Sequence, residues 1–249
     1  MKLGIAGASG RMGRALMEAA PANDLEVIVA LDVAGEGTAV GSLTITSDST
    51  ALAAADVVID FTRPAATLAH LAHARAMVIG TTGFSAEEKA KIVEAAKKTP
   101  IVMAANFAVG VNAVYKLAET AAQILGDTYD VEIVEAHHNK KVDAPSGTAL
   151  KLGEVVAKAL QRDLRKEAVH GRRGEPGART PREIGFHAIR GGDIVGEHTV
   201  IFAGAGERVE VTVRSQSRLT YASGALRAAK WLKGRPAGLY DMGDVLGLR

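Results

Sequence analysis

Lys2-Leu3-Gly4-Ile5-Ala6-Gly7-Ala8-Ser9-Gly10-Arg11-Met12-Gly13 is the stretch that decides the fold. Its first five residues read as a short apolar strand, and Arg14 to Ala20 continues as a helical run. Between them stand Gly7, Gly10 and Gly13, a GxxGxxG spacing looser than the stricter GxGxxG. Glycine lets the backbone turn tightly and approach a pyrophosphate, while the N–H groups and dipole of a helix start favour its negative charge. A second apolar run, Glu26 to Leu31, ends at Asp32, 19 residues beyond Gly13. A carboxylate at that distance accepts hydrogen bonds from the ribose hydroxyls of a dinucleotide. The order strand, glycine loop, helix, strand, acid therefore predicts a dinucleotide site rather than an ordinary glycine-rich turn.

Asp32 also bears on which dinucleotide. A carboxylate there accepts from the 2′-hydroxyl of NADH and repels the 2′-phosphate of NADPH. The usual remedy is an adjacent Arg, and the next residue is Val33, with Arg11 and Arg14 the cations available to offset it. The expectation is a cofactor that is NADH, NADPH or both, with NADH at least as good.

Working outward, the first hundred residues alternate. Apolar runs at Lys2–Ala6, Glu26–Leu31, Asp56–Phe61, Ala76–Gly80 and Ile101–Ala105 are separated by helical candidates at Arg11–Ala20, Ser49–Ala55, Pro64–Ala74 and Ser85–Lys98. Such alternation predicts a parallel sheet with helices on both faces and ligands at the carboxyl ends of the strands. Three more loops fall at that edge: Phe61-Thr62-Arg63-Pro64, Gly80-Thr81-Thr82-Gly83 and Ala104-Ala105-Asn106-Phe107. From Ala108 the pattern changes. A helix over Val111–Leu125, a strand over Val131–Val134 and a helix over Thr148–Leu160 precede a Gly/Pro/Arg-rich loop at Gly171–Pro181. Three β-like runs follow at Glu183–Arg190, Gly196–Phe202 and Arg208–Ser215, and Ala222–Leu232 returns to helix. Successive strands without helices between them predict a mixed or antiparallel sheet. The fold class is thus α/β, a Rossmann-like parallel domain with a smaller α+β domain.

Composition narrows the function. Of 249 residues 47% are hydrophobic, enough for a sizeable core, and 30 Lys+Arg against 28 Asp+Glu leave a net charge of +2, which argues against a generic polyanion partner. The cations Arg162, Arg165, Lys166, Arg172 and Arg173 lack interleaved aromatics and read as a solvated face or subunit contact, not a nucleic-acid surface. With no cysteine, disulfides, thiolate nucleophiles and Cys-ligated metals are excluded within the chain. No apolar run approaches the ~20 residues of a membrane helix, and the first residues read as a strand rather than a leader. A cytoplasmic enzyme without a membrane partner is expected.

The chemistry gathers at Glu135-Ala136-His137-His138-Asn139-Lys140-Lys141-Val142-Asp143-Ala144-Pro145-Ser146-Gly147-Thr148. Neighbouring strand residues point to opposite faces, so His137 and His138 have different jobs. Adjacent histidines lack the i, i+4 spacing of a helical zinc pair, and no metal is expected. Lys141 adds a cation, and Ser146 is a good N-cap for a helix whose free N–H groups suit a carboxylate. The segment reads as proton chemistry on an anionic substrate.

These stretches resemble the dihydrodipicolinate reductase family: Gly7 to Gly13, Ile59-Asp60-Phe61-Thr62-Arg63-Pro64, Val78-Ile79-Gly80-Thr81-Thr82-Gly83, Ala105-Asn106-Phe107, Glu135 to Thr148, Gly191-Gly192-Asp193-Ile194-Val195-Gly196-Glu197-His198 and Gly238-Leu239-Tyr240-Asp241-Met242. The likeness runs over essentially the whole chain. It implies a dinucleotide domain over 1–108 completed by 218–249, with 109–217 binding substrate and forming a homotetramer. It implies NAD(P)H-dependent reduction of 4-hydroxy-tetrahydrodipicolinate in lysine and diaminopimelate biosynthesis. His137 matches the proton donor/acceptor and Lys141 a second proton donor. His138, Gly147 and Thr148 match residues that hold the substrate carboxylates, and Ser146 joins them as the helix cap. Gly7, Ala8, Ser9, Gly10, Arg11, Met12, Asp32, Gly80, Thr81, Thr82, Ala104, Ala105, Asn106 and Phe107 match cofactor contacts. The family position after the acid is sometimes Arg, and Val33 departs from it. Reduction of another cyclic imine or keto acid, or a non-catalytic redox sensor, are the competing readings; a sensor needs neither His137 nor Lys141.

Overall fold

In the computed structural model, which describes residues 1–248, the chain divides into two units: Met1–Val109 with the segment from Arg218 onward, and Gly110–Ser217. The first unit runs β1 (Lys2–Ala6), α1 (Arg11–Ala19), β2 (Glu26–Leu31), the two-residue strands β3 (Ala39–Val40) and β4 (Leu43–Thr44), β5 (Val57–Asp60), α2 (Pro64–His70), β6 (Met77–Ile79), α3 (Ala86–Ala96) and β7 (Pro100–Met103). In the second unit follow α4 (Val109–Leu125), which begins at the boundary, β8 (Asp130–His137), α5 (Gly147–Ala159), α6 (Leu164–Glu167), β9 (Ala168–His170), β10 (Ile184–Arg190), β11 (Gly196–Ala203) and β12 (Arg208–Ser215). The chain then returns to the first unit through α7 (Leu219–Leu232), β13 (Gly238–Tyr240) and α8 (Met242–Leu246).

Six strands of the first unit form a sheet in the order β13-β7-β6-β5-β1-β2, with every pairing parallel. Period-2 alternation sends successive side chains to two cores. Val57, Ile59, Val78 and Val102 join Leu3, Ile5, Leu16, Ala225 and Leu226 on one face. Val58, Met77, Ile79 and Ile101 join Leu52 and Ile92 on the other. The strand order departs from β1 in both directions, toward β2 and toward β5. The crevice at such a reversal is where open α/β sheets bind their ligands.

Three of the differences between sequence and structure in this unit have a local cause. Ser49–Ala54 is a 3₁₀ turn rather than an α-helix, because Asp48 accepts from Thr50 N and Oγ1 and β5 starts only three residues after the turn ends. The helix predicted over Pro64–Ala74 stops at His70, where Ala72 N and His73 N tighten onto the carbonyls of Ala69 and His70. The short edge strand β13, paired to β7, carries too few residues for a periodic signal.

The second unit holds a mixed sheet in the order β12-β11-β8-β10-β9, with β10 parallel to β8 and β9, and β11 antiparallel to β8 and β12. Ala118 and Ala122 of α4 and Leu152 and Val156 of α5 pack on Val131, Ile133, Ile184, Phe186, Val200 and Phe202. On the opposite face two arginines of the loop read as exposed reach back to β8, Arg172 staying exposed and Arg179 half-buried. Arg172 Nη2 and Arg179 Nε reach Glu132 Oε1 at 2.8 and 2.9 Å, and His187 Nε2 reaches Oε2 at 2.8 Å. Burial alone would raise the Glu132 carboxyl, but these donors bring it down to about 2. Arg162, by contrast, is buried, with Nη2 on Asp127 at 2.7 Å. Arg162 thus belongs to a buried ion pair, which departs from the reading of that run as a solvated face or subunit contact, while Arg165, Lys166, Arg172 and Arg173 are exposed.

Candidate active site

At the glycine loop, Gly7 adopts φ +84°, and a Cβ there would meet the backbone of Phe61. Its N–H donates to Leu31 O at 2.9 Å, tying the loop to the end of β2, and Gly10 N returns to Gly7 O at 3.0 Å. A Cβ on Gly13 would overlap the Gly7 carbonyl, so the helix lies against its own loop. Gly10 is the N-cap of α1 and no side chain caps that end, nor is any acid present in the first turn. The leading N–H groups are left for an anion, which fits a pyrophosphate. Asp32 closes the loop from the side: Oδ2 accepts from Ser9 N at 3.0 Å and Ser9 Oγ at 2.5 Å, and Oδ1 from Ala34 N at 3.0 Å. Burial pushes this carboxyl up, but the Ser9 and Ala34 bonds outweigh it and hold it below its usual range. An ionised acid beside exposed Val33 suits ribose hydroxyls.

Next along the edge, Asp60 is fully buried at the end of β5. Its Oδ1 accepts from Thr62 N and Oγ1, Thr67 Oγ1 and Thr81 Oγ1 at 2.6–3.0 Å, while Oδ2 lies 2.6 Å from His70 Nδ1. One carboxylate thereby joins the Phe61–Pro64 loop, α2 and the Gly80–Gly83 loop. Thr81 is buried in this network, whereas Thr82 is exposed. Phe107 is also buried, edge-on to Phe61 with ring centroids 5.8 Å apart, and Asn106 Oδ1 accepts from Ala108 N at 2.9 Å. Ala104 and Ala105 line a groove of about 350 Å³ with Met103, Leu239, Tyr240 and Asp241.

In the second unit the site grows out of one sheet face. Val131 and Ile133 put the odd-numbered side chains of β8 into the core, so Glu135 and His137 continue that face as polar residues. On β11, His198 follows the same face as Val200 and Phe202 and stands opposite Glu135 in register. On β10, Arg190 stands opposite His137. His137 Nδ1 lies 2.6 Å from Glu135 Oε2, and Arg190 grips both Glu135 oxygens at 2.7 Å. Among the described residues His137 Nε2 has no hydrogen-bond partner. Burial lowers the His137 pKa, Glu135 opposes that, and Lys141 and Arg190 add to it, leaving it below its usual value.

His138 lies on the far side of the strand end, half-buried, with its Nδ1 buried and without a partner. Lys141 Nζ donates to both Asp143 oxygens at 2.8 and 2.9 Å. Ser146 caps α5 through Ala149 N at 3.2 Å, but it is 2% exposed, its hydroxyl meets His198 Nε2 at 2.9 Å and its N–H donates to Glu135 Oε1 at 3.1 Å. Its polar atoms are committed to the wall of the site. Gly147 is exposed at the first helical position with open space around its Cα, and Thr148 follows half-buried. Glu135, Arg190 and His198, and Asp60 with His70, are the residues whose parts sequence reasoning missed; Arg190 and His198 reach the site through strand register, and His70 reaches Asp60 through the packing of α2 on β5.

Residues 1–107 match the model of "Dihydrodipicolinate reductase, N-terminus", and residues 110–246 match "Dihydrodipicolinate reductase, C-terminus". The chain belongs to the dihydrodipicolinate reductase family. A 4-hydroxy-tetrahydrodipicolinate reductase of Aromatoleum aromaticum is 58% identical, covering 100% of this chain and 96% of the relative. One from Dechloromonas aromatica is 56% identical, covering 100% and 98%. Among solved structures, a dipicolinate-bound dihydrodipicolinate reductase from Paenisporosarcina sp. TG-14 superposes with TM-score 0.75 at 25% identity, covering 97% of both chains. A myo-inositol dehydrogenase from Lactobacillus casei, at 15% identity and TM-score 0.58, shares the fold over 100% of this chain and 91% of its own. Family membership and fold together make this dihydrodipicolinate reductase homologue an oxidoreductase with a Rossmann-like cofactor domain.

Proposed function

We propose that the chain reduces 4-hydroxy-tetrahydrodipicolinate to tetrahydrodipicolinate, the reaction named for its relatives, as a step of lysine and diaminopimelate biosynthesis. The observation that carries this reading is His137, a buried imidazole whose Nε2 is left unpaired beside a lysine and an open helix start. The halves of the reaction fall on the two units. The first binds the nicotinamide dinucleotide: Gly7 to Met12 take the pyrophosphate, Asp32 the ribose, and Gly80–Thr82 and Ala104–Phe107 the remainder. When bound, the reduced nicotinamide supplies hydride to ring C4 of the substrate.

The second unit handles the acid and the charge. The substrate is a cyclic imine with two carboxylates, and loss of its hydroxyl as water conjugates the ring. Negative charge that develops on the ring after C4 is reduced is quenched by a proton from His137, with Lys141 as second donor. A positioned acid of this kind is worth about 10²–10⁴-fold. Gly147 N–H and the Thr148 side chain at the start of α5 hold one carboxylate, and His138 Nδ1, buried without a partner, gains one from the substrate. Lys141 exchanges Asp143 for substrate. Ser146 keeps its place in the wall and acts on substrate only through the geometry of α5.

NADH serves at least as well as NADPH, because Asp32 is ionised and Val33 offers no cation. Assembly as a homotetramer through the second unit and a cytoplasmic location belong to the same reading; among the described residues no helix is long and apolar enough to cross a membrane.

Calorimetric titration with dipicolinate, a planar dicarboxylate of the same ring skeleton, tests the substrate half. Binding that weakens at least about tenfold in His138→Ala and Thr148→Ala is expected, from the loss of charge-assisted hydrogen bonds. Failure of dipicolinate to bind with NADH still bound would move the assignment to another imine.

A further inference from the structure

We infer that Glu135, clamped by Arg190, is a positioning residue that fixes the ring and tautomer of His137, so that Nε2 alone exchanges a proton with the substrate. This rests on the acid role proposed for His137. The Glu135 carboxylate is fully surrounded by donors. Oε2 faces His137 Nδ1 at 2.6 Å and Arg190 Nη1 at 2.7 Å; Oε1 faces Arg190 Nη2 at 2.7 Å and Ser146 N at 3.1 Å. Those donors fix it as a carboxylate, which only accepts, so the proton between Glu135 and His137 sits on Nδ1. Its spacing of two residues on one strand puts the pair on the same face, and the bidentate guanidinium keeps the carboxylate from swinging away.

A second imidazole closes the arrangement. The rings of His198 and His137 meet edge to face, with centroids 5.1 Å apart. Ser146 Oγ, which accepts from Ala149 N, stands 2.9 Å from His198 Nε2 and holds that ring in place. Burial, with a smaller contribution from the neighbouring His137 charge, takes His198 down to about 4 and keeps it uncharged at working pH. The groups that face His137 are thus Glu135 on its own strand, Arg190 on β10, His198 on β11 and Lys141 in the following loop. Glu135 alone among them is an anion, so it is the group that stabilises the imidazolium.

The test is the pH profile of kcat/KM for the parent, Glu135→Gln and His137→Gln, with NADH affinity and melting temperature measured alongside. Glu135→Gln is expected to lower kcat about 10- to 100-fold, milder than the loss from a mispositioned triad histidine, with KM little changed. Its basic limb moves to lower pH, since the carboxylate that favours the protonated ring is gone, and Glu135→Asp restores part of both. His137→Gln loses the limb. An unmoved limb and a kcat within about twofold of the parent in Glu135→Gln, with His137→Gln inactive, would overturn the positioning role but not the acid. Normal turnover with an intact limb in His137→Gln would overturn the acid itself. Because Glu135→Gln leaves Arg190 unpaired and can fail to fold, the parent supplies an independent readout. With ¹⁵N-labelled histidine, the neutral His137 ring is expected to carry its proton on Nδ1; a proton on Nε2 contradicts the inference.

Discussion

His70 Nδ1 stands 2.6 Å from Oδ2 of Asp60, a carboxylate with no exposure to solvent whose other oxygen collects Thr62, Thr67 and Thr81. An acceptor this crowded holds two cofactor-edge loops and α2 in one arrangement. Asp60→Asn presents an NH₂ where one of these donors points, leaving a buried group unsatisfied. A loss of about 2–4 kcal/mol in urea unfolding is expected, with weaker NADH binding in the folded fraction. Stability within about 0.5 kcal/mol of the parent would mean the network is dispensable.

Gly13→Ala drives a methyl group into the Gly7 carbonyl and the Ala8 backbone, both fixed by their own hydrogen bonds. Backbone cannot yield as a flexible side chain can, so the glycine loop must shift. NADH affinity is expected to fall by at least about tenfold, the effect of losing one well-placed charge-assisted bond. Fluorescence titration of NADH checks this, and an unchanged Kd counts against pyrophosphate binding at this loop.

Val33 is 85% exposed, so replacing it disturbs no core. Val33→Arg puts a guanidinium beside Asp32, able to pair with a 2′-phosphate. NADPH binding is expected to tighten by roughly tenfold, about 1.4 kcal/mol, while NADH changes little. In the parent NADH is expected to bind at least as tightly as NADPH; the reverse order in the parent would show that Arg11 or Arg14 already offsets the acid.

Acid weakens the fold through His198. In the unfolded chain its imidazole protonates near 6.5, but in the native chain burial first, then His137, delays this to about 4. Across that window the unfolded state binds the extra proton, so stability is whole above 6.5 and is lost as pH falls toward 4, by on the order of 3 kcal/mol. His137 is shifted in the same direction and adds to the loss, whereas Glu132 acts only below its ordinary 4.5. Urea midpoints measured from pH 7 to 4.5 should fall in the parent and flatten in His198→Gln. A parent curve flat over that range contradicts the buried neutral histidine.

Local pattern was enough for the strands Lys2–Ala6 and Glu26–Leu31, whose observed bounds match the apolar runs residue for residue. It fell short at β8. The apolar run ends at Val134, yet the strand continues to His137, because β10 and β11 pair with it over its polar end. His137 and Lys141 stand out as candidates from sequence alone, since both lie in one segment. Their supports do not: Arg190 reaches Glu135 across 55 residues and His198 reaches Ser146 across 52. The first contact follows from sheet register and the second from where the start of α5 packs, and no local periodicity encodes either. Arg162 misled for a like reason, its burial and its partner Asp127 being set by the fold.

Whether this chain reduces 4-hydroxy-tetrahydrodipicolinate is read straight from NADH oxidation. Substrate is made in situ from pyruvate and aspartate semialdehyde by the preceding synthase, and NADH consumption is followed with NADPH in parallel. Rapid oxidation that depends on the synthase, with NADH at least as good as NADPH, is the predicted result. Bound NADH that is never oxidised in the complete mixture would contradict the assignment.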